Sequence, residues 1–85
     1  MNFEFPQYRK LKNGQSYYQL ENPSLLHEIQ LIGQRWTTHD LAAKILPERN
    51  LLTDILLCAD EAYVVIDAAE YDAFLAHCET HLKRF

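Results

Sequence analysis

The chain has 85 residues, 48% of them hydrophobic, and this length and composition predict one small globular domain spanning residues 1–85. Twelve acidic residues against eight basic ones give a formal net charge of −4, which argues against nucleic acid as a partner because that binding depends on cationic contacts with phosphates. The apolar runs are too short to span a bilayer, so we expect no membrane segment.

The N-terminal sequence MNFEFP has neither the basic region nor the apolar region of a secretory signal. Two cysteines without such a signal are typical of reduced thiols, and both Cys58 and Cys78 lie within apolar patterns. Burial of this kind lowers thiol reactivity. We therefore expect a cytoplasmic protein, and the sequence alone does not determine whether the two cysteines lie close in space.

The first predicted element is a β-hairpin in the segment YRKLKNGQSYYQL, residues 8–20. Asn13-Gly14 suits a type I′ turn, in which both central residues have positive φ, and this turn pairs Lys10 with Tyr17. Side chains alternate between the two faces of a strand. The face predicted to be buried carries Leu11, Tyr18 and Leu20. The other face carries Tyr8, Tyr17, Lys10 and Lys12 and is predicted to be an exposed interaction surface; the alternative is that a helix covers it.

A second hairpin is predicted in HEIQLIGQRWTTHD, residues 27–40. Gly33 stands at the first central position, as a type II′ turn requires. The resulting register places His39 opposite Glu28 and His27 opposite Asp40. Such pairs of an imidazole with a carboxylate help to fix the register of a sheet. The same four residues could alternatively form a ligand-binding cluster: His27, Glu28, His39 and Asp40. The predicted core face carries Ile29, Leu31 and Trp36.

Residues 40–46 admit two interpretations. A strand that continues to Ile45 would need a β-bulge near residue 39, because the apolar residues change parity there. Alternatively, a helical turn could begin after Thr38. We favour the extended strand because a proline at position 47 disfavours the helical conformation at Leu46. Pro47 then suits the first position of a helix, with Glu48 near the positive end of its dipole.

The last third of the chain predicts a strand followed by a helix. The apolar segment AYVVI, residues 62–66, is typical of a strand in the interior of a sheet or under a helix. Asp67 and Glu70 form a variant capping box. Lys83 and Arg84 are expected in the last turn of the helix, where cations complement the dipole. The apolar stripe of this helix comprises Tyr71, Phe74, Leu75, Cys78, Leu82 and Phe85.

The motif HCETH places His77 and His81 one helical turn apart, a spacing that allows both to bind one metal ion. It differs from the zinc protease motif HExxH, in which the carboxylate directly follows the first histidine. Glu70 is two turns from His77, so its carboxylate cannot bind the same metal ion as both imidazoles. A metal site would therefore need ligands from a second chain.

A catalytic site is conceivable around His39-Asp40 with Lys44 and Glu48, but this segment has no serine or cysteine nucleophile. Both glycines are used by the predicted hairpins, so no phosphate-binding loop remains. The sequence leaves enzymatic activity open but favours a non-catalytic protein, and it predicts no cofactor.

Four segments, YRKLKNGQSYY, EIQLIGQRW, AKILPERN and VVIDAAEYDAFL, together resemble a family of short bacterial proteins of unknown function. The resemblance covers most of the chain. It implies a free-standing cytoplasmic domain and adds no catalytic residues.

The sequence thus predicts an α+β domain with an antiparallel sheet of about five strands, formed by two hairpins and one later strand, packed with two helices. The expected function is a non-catalytic interaction or regulatory module that forms a homodimer through a two-fold interface. The alternative is a small-ligand or metal-binding protein that uses His39, His77 and His81.

Overall fold

Four antiparallel strands form the centre of the computed structural model, which describes residues 3–85. They are β1 (Gln7–Leu11), β2 (Ser16–Asn22), β3 (Leu25–Ile32) and β4 (Arg35–Ala42). Strand β5 (Tyr63–Ile66) pairs antiparallel with β1, and the short β6 (Lys83–Arg84) pairs parallel with β4. The strand order is β5-β1-β2-β3-β4-β6, so the predicted α+β fold is confirmed with six strands rather than five.

One helix packs on each face of the sheet. Helix α1 (Leu46–Leu56) covers one face and helix α2 (Ala68–His81) covers the other, with a 3₁₀ turn at Ala59–Glu61 after α1. Since neighbouring residues of a strand point to opposite faces, each central strand contributes to both cores. The α1 core contains Tyr18, Leu20, Leu26, Ala43, Leu52 and Ile55, and the α2 core contains Ile29, Trp36, Tyr71 and Cys78.

The first hairpin has the predicted register but not the predicted turn. Lys10 pairs with Tyr17, as expected. However, the turn hydrogen bond runs from the Gly14 N–H to the Leu11 carbonyl at 2.8 Å, and Gly14 is the turn residue with positive φ, at 75°. Asn13 is not in the left-handed region. Its side chain instead accepts a hydrogen bond from the Gln15 N–H at 2.9 Å, so the turn is held by an asparagine side chain.

The second hairpin is confirmed, because Leu31 pairs with Trp36 and Glu28 pairs with His39. Gly33 has a positive φ of 62°, whereas Gln34 does not have positive φ. A type II′ turn requires both features. Strand β4 then ends at Ala42 without the bulge expected in an extended strand.

The change in parity along β4 has a different cause from the one predicted. Trp36 belongs to the α2 core, and Leu41 packs against the α1 core. Both faces of this strand are covered, so no bulge is needed. Helix α1 begins at Leu46, one residue before Pro47, and the alternative of a helix after Thr38 is wrong.

Two predictions for the last third of the chain need correction. Of the two alternatives for the apolar strand β5, the interior of the sheet is wrong, since β5 occupies an edge, whereas the packing of its first and last residues against the two helix cores agrees with a strand under a helix. Lys83 and Arg84 do not extend α2, which ends at His81, but form β6 beside β4. The capping role of Asp67 is confirmed, since its carboxylate accepts the Glu70 N–H at 2.8 Å.

A buried cation joins α1 to the sheet. Arg9 is 3% exposed, and its Nε and Nη2 donate to the Leu56 carbonyl at 3.2 and 3.0 Å. Its Nη1 donates to the Tyr8 carbonyl at 2.7 Å and to the Gln7 side chain at 3.1 Å. Leu56 ends α1, so the guanidinium is held at the negative end of the helix dipole.

Candidate functional site

The predicted ligand cluster of His27, Glu28, His39 and Asp40 is divided between the two faces of the sheet. His27 and Asp40 lie on the α2 side, where His27 Nδ1 is 2.7 Å from Asp40 Oδ1. His39 and Glu28 lie on the α1 side, and His39 Nε2 is 3.2 Å from the Gln30 amide oxygen. The register was predicted correctly, but adjacent residues in a strand cannot share one site on one face.

His27 is held between two carboxylates. Its Nε2 lies 2.9 Å from Glu21 Oε2, and its Nδ1 contacts Asp40. An imidazole can donate from both nitrogens only when it is protonated. The hydrogen bonds that His27 donates to Asp40 and, to a smaller extent, to Glu21 raise the pKa of His27 above its ordinary value of 6.5. When His27 is protonated, its two hydrogen bonds therefore join β2, β3 and β4.

This contact predicts a stability that depends on pH. A raised pKa in the folded state means that the His27 contribution is fully present below pH 6.5 and is lost as the pH rises through the folded-state pKa. Because both carboxylates are largely exposed, we expect the His27→Gln variant to be less stable than the wild type by only about 1 kcal/mol at about pH 5.5.

Urea unfolding of both proteins at about pH 5.5 and about pH 8.5 measures this effect, and the difference should shrink at the higher pH. His39→Gln is the matched control, because His39 contacts an amide rather than a carboxylate. A difference between wild type and His27→Gln that grows with pH would contradict the assignment.

The histidines of HCETH lie side by side but have no further ligand. The ring centroids of His77 and His81 are 5.1 Å apart, and both side chains are exposed. Within residues 3–85 there is no group of three or more potential ligands that could hold a metal ion. Glu70 is directed elsewhere, since its carboxylate contacts Lys10 Nζ at 2.7 Å.

The exposed face predicted for the first hairpin is instead covered by α2. Tyr17 stacks on Phe74 with ring centroids 3.8 Å apart, and Tyr8 contacts Tyr71 at 5.4 Å. The two tyrosines are half-buried, so the exposed surface predicted for them is wrong and the alternative, a covering helix, is observed. Lys10 lies over Tyr17 and contacts Glu70, whose hydrogen bond raises the pKa of Lys10. Lys12 remains exposed at the turn.

The residues considered for catalysis do not converge. Glu48 accepts the N–H groups of Lys44 and Ile45 at 2.9 and 3.1 Å, and these bonds lower the pKa of Glu48. This geometry makes Glu48 a helix-capping residue. His39 and Asp40 point to opposite faces of β4.

A cationic cleft lies where α2 ends beside β4 and β6. Its volume is about 350 Å³, and it is lined by Gln34, Arg35, His81, Leu82 and Lys83. Arg35 and Lys83 are partners in the parallel β4–β6 pair. Next to them, the Arg84 guanidinium lies 4.5 Å from the Trp36 ring and donates to Thr38 Oγ1 at 2.9 Å. The sequence pattern did not indicate this cleft, because it assigned Lys83 and Arg84 to a helix.

Strand β5 forms an apolar edge of the sheet, and no strand of the described residues pairs with its outer side. Its residues Tyr-Val-Val-Ile include no charge and no proline, and Val65 is 64% exposed. The Lys12 N–H donates to the Ala62 carbonyl at 2.9 Å, so the main chain of Ala62 faces β1. By the alternation of an antiparallel ladder, Val64 and Ile66 also face β1, whereas Tyr63 and Val65 direct their N–H and C=O groups outward.

Comparison of the chain with models of known families, with curated proteins and with solved structures found no match. The resemblance to short bacterial proteins therefore has no support from these comparisons. Among residues 3–85, no helix is long and apolar enough to cross a membrane.

Proposed function

We propose that the protein is a non-catalytic cytoplasmic interaction module that forms a homodimer through the outward edge of β5. The observation that carries this proposal is the unprotected edge itself. An edge strand presents a row of unpaired N–H and C=O groups, and proteins usually protect such edges with charges, prolines or bulges. β5 has an uncharged sequence and an exposed valine.

The opposite edge of the sheet provides an internal comparison. β6 is only two residues long, and both residues are cations, Lys83 and Arg84. Short length and positive charge are the features that discourage strand pairing. The two edges therefore differ in length and charge, which control pairing with another strand. Of the two, β5 is the edge suited to pair with a further strand.

A second copy of β5 is a complementary partner for this edge. In a two-fold antiparallel arrangement, Tyr63 can pair with Val65 of the partner subunit, and this pair exchanges both main-chain hydrogen bonds. The two-fold axis relates this pair to an identical pair on its other side. Between the two pairs, Val64 lies opposite the partner's Val64, on the axis. The side-chain contacts are then aromatic with β-branched and β-branched with β-branched, which are favourable cross-strand pairs.

The short strand limits the strength of this dimer. An interface based on four residues is small, so we expect a dissociation constant of about 10 µM or higher. Sedimentation equilibrium between about 5 and 500 µM should show a monomer–dimer equilibrium for the wild type.

Two variants of Val65 should shift that equilibrium towards the monomer. Val65→Lys places a charge on the edge, and Val65→Pro removes an N–H that the monomer does not use. We expect each to weaken dimerisation by at least about tenfold. Ile32→Lys is the matched control, because Ile32 is also an exposed apolar residue, 52% exposed, but lies in β3.

Three results would overturn the proposal. One is a wild type that remains monomeric at the highest concentration. Another is a dimer that persists in both Val65 variants, since it would have to use another surface. The third is an Ile32→Lys variant that dissociates as readily as Val65→Lys, because association would then reflect general hydrophobicity.

A further inference from the structure

Two cations stand next to each other in the cleft beside β6. Arg35 and Lys83 are directly paired in the register of β4 and β6, which places both side chains on the same face of the sheet. Like charges at such positions destabilise a sheet. None of the ion pairs formed among residues 3–85 involves either residue, so the repulsion is not relieved by a carboxylate of the described chain.

The positive charge at this place is concentrated despite a net charge of −4. Two of the eight basic residues, Arg35 and Lys83, lie together on one face of β4 and β6, whereas Arg84 lies on the opposite face over Trp36. The nearby end of α2 carries the negative pole of the helix dipole, equivalent to about half of an elementary charge. The two formal positive charges of Arg35 and Lys83 exceed that contribution, so the local field favours an anion.

The polar side chains that line the cleft are all able to donate hydrogen bonds. Arg35 offers a planar fork of donors, Lys83 offers an ammonium group, Gln34 offers an amide, and His81 offers a ring nitrogen. Among residues 3–85, no acidic side chain lines the cleft. Its volume of about 350 Å³ lies at the lower end of the range of small-molecule sites.

We propose that this cleft binds a small molecule that carries a phosphate group. A phosphate monoester has a charge of about −1.5 to −2 at neutral pH, which matches the paired charges of Arg35 and Lys83. Arginine binds phosphate through two parallel hydrogen bonds, and lysine adds a point charge. The small cleft and the acidic chain disfavour a long polyanion, because the net charge repels it at a distance.

This site is independent of the proposed dimer. β6 and β5 form opposite edges of the sheet, so the cleft is distant from the dimer contact. Failure of one proposal would therefore leave the other unaffected.

Titration of the protein with inorganic phosphate, with chloride used to hold the ionic strength constant, tests the site. Saturable amide chemical shift changes should be concentrated in residues 33–36 and 81–85, and the melting temperature should rise with phosphate. Arg35→Gln and Lys83→Gln should each weaken binding by about tenfold or more. Because like charges no longer face each other, both variants should be at least as stable as the wild type in chloride alone.

Arg49→Gln is the matched control, since Arg49 is an exposed cation on α1 and its loss changes the net charge equally. Equal weakening by this control would show a general charge effect and overturn the proposal. Shift changes that do not saturate below about 50 mM phosphate would also overturn it. Tighter binding of a short single-stranded oligonucleotide than of phosphate would replace the small ligand with nucleic acid, which contradicts the proposed class.

Discussion

Replacement of Arg9 by alanine is expected to lower the free energy of unfolding by about 3 kcal/mol. The guanidinium forms hydrogen bonds with the carbonyls of Leu56 and Tyr8 and with the Gln7 side chain. Alanine would remove these donors from partly buried acceptors and would also create a cavity. For a domain of this size, with a total stability of about 4 to 13 kcal/mol, the loss is a large fraction.

Urea unfolding of Arg9→Ala, Arg9→Met and Arg49→Met separates the contribution of the guanidinium hydrogen bonds from that of the buried apolar stem of Arg9. Methionine retains most of the apolar stem of Arg9 but has no hydrogen-bond donors. We therefore expect Arg9→Met to lower the free energy of unfolding by about 2 kcal/mol. Arg49 is exposed, and its replacement should change stability by less than about 0.5 kcal/mol. If Arg9→Met were as stable as the wild type, the bonds from the guanidinium to the end of α1 would make no net contribution.

Replacement of Leu52 by alanine is expected to destabilise the fold by about 3 kcal/mol. Leu52 is 1% exposed and belongs to the core between α1 and the sheet, with Leu20 and Ile55. Its truncation removes buried methyl groups and leaves a cavity that the surrounding strands can fill only in part.

The adjacent Leu51 provides a matched control, because it is on the same helix but is 42% exposed. Leu51→Ala should cost less than about 1 kcal/mol, as expected for an exposed position. Comparison of the urea midpoints of the two variants therefore tests the orientation of α1. Equal losses, or a larger loss for Leu51→Ala, would show that α1 presents a different face to the sheet.

The candidate sites show how much could be predicted from local patterns. The pairing of Glu28 with His39 and of His27 with Asp40 follows from Gly33 and the length of the turn, and it is confirmed. The side-chain contacts follow this pairing only in part, since His27 meets Asp40 and also Glu21, whereas His39 meets Gln30 instead of Glu28. A register defines which residues are opposite each other, but long side chains can reach diagonal neighbours and other strands.

The location of the helices explains why the tyrosines of the first hairpin were assigned to an exposed surface. The alternation in YRKLKNGQSYYQL correctly separates Tyr17 from Tyr18. Both residues are nevertheless buried or half-buried, because α1 covers one face and α2 covers the other. A sequence shows which residues share a face, but it does not show whether a distant segment packs on that face.

The sequence by itself determined the elements whose signals are local: the register of each hairpin, the N-cap of α2 at Asp67 and the division of side chains between faces. Turn geometry, capping and alternation act within a few residues, so they can be recognised in one segment. Only the tertiary structure decided that β5 is an edge, that β6 pairs with β4 and that Arg9 binds the end of α1, 47 residues away. These choices depend on packing between distant segments, whose partners a local pattern does not specify. They place the free edge of β5 and the cationic cleft at opposite sides of one sheet.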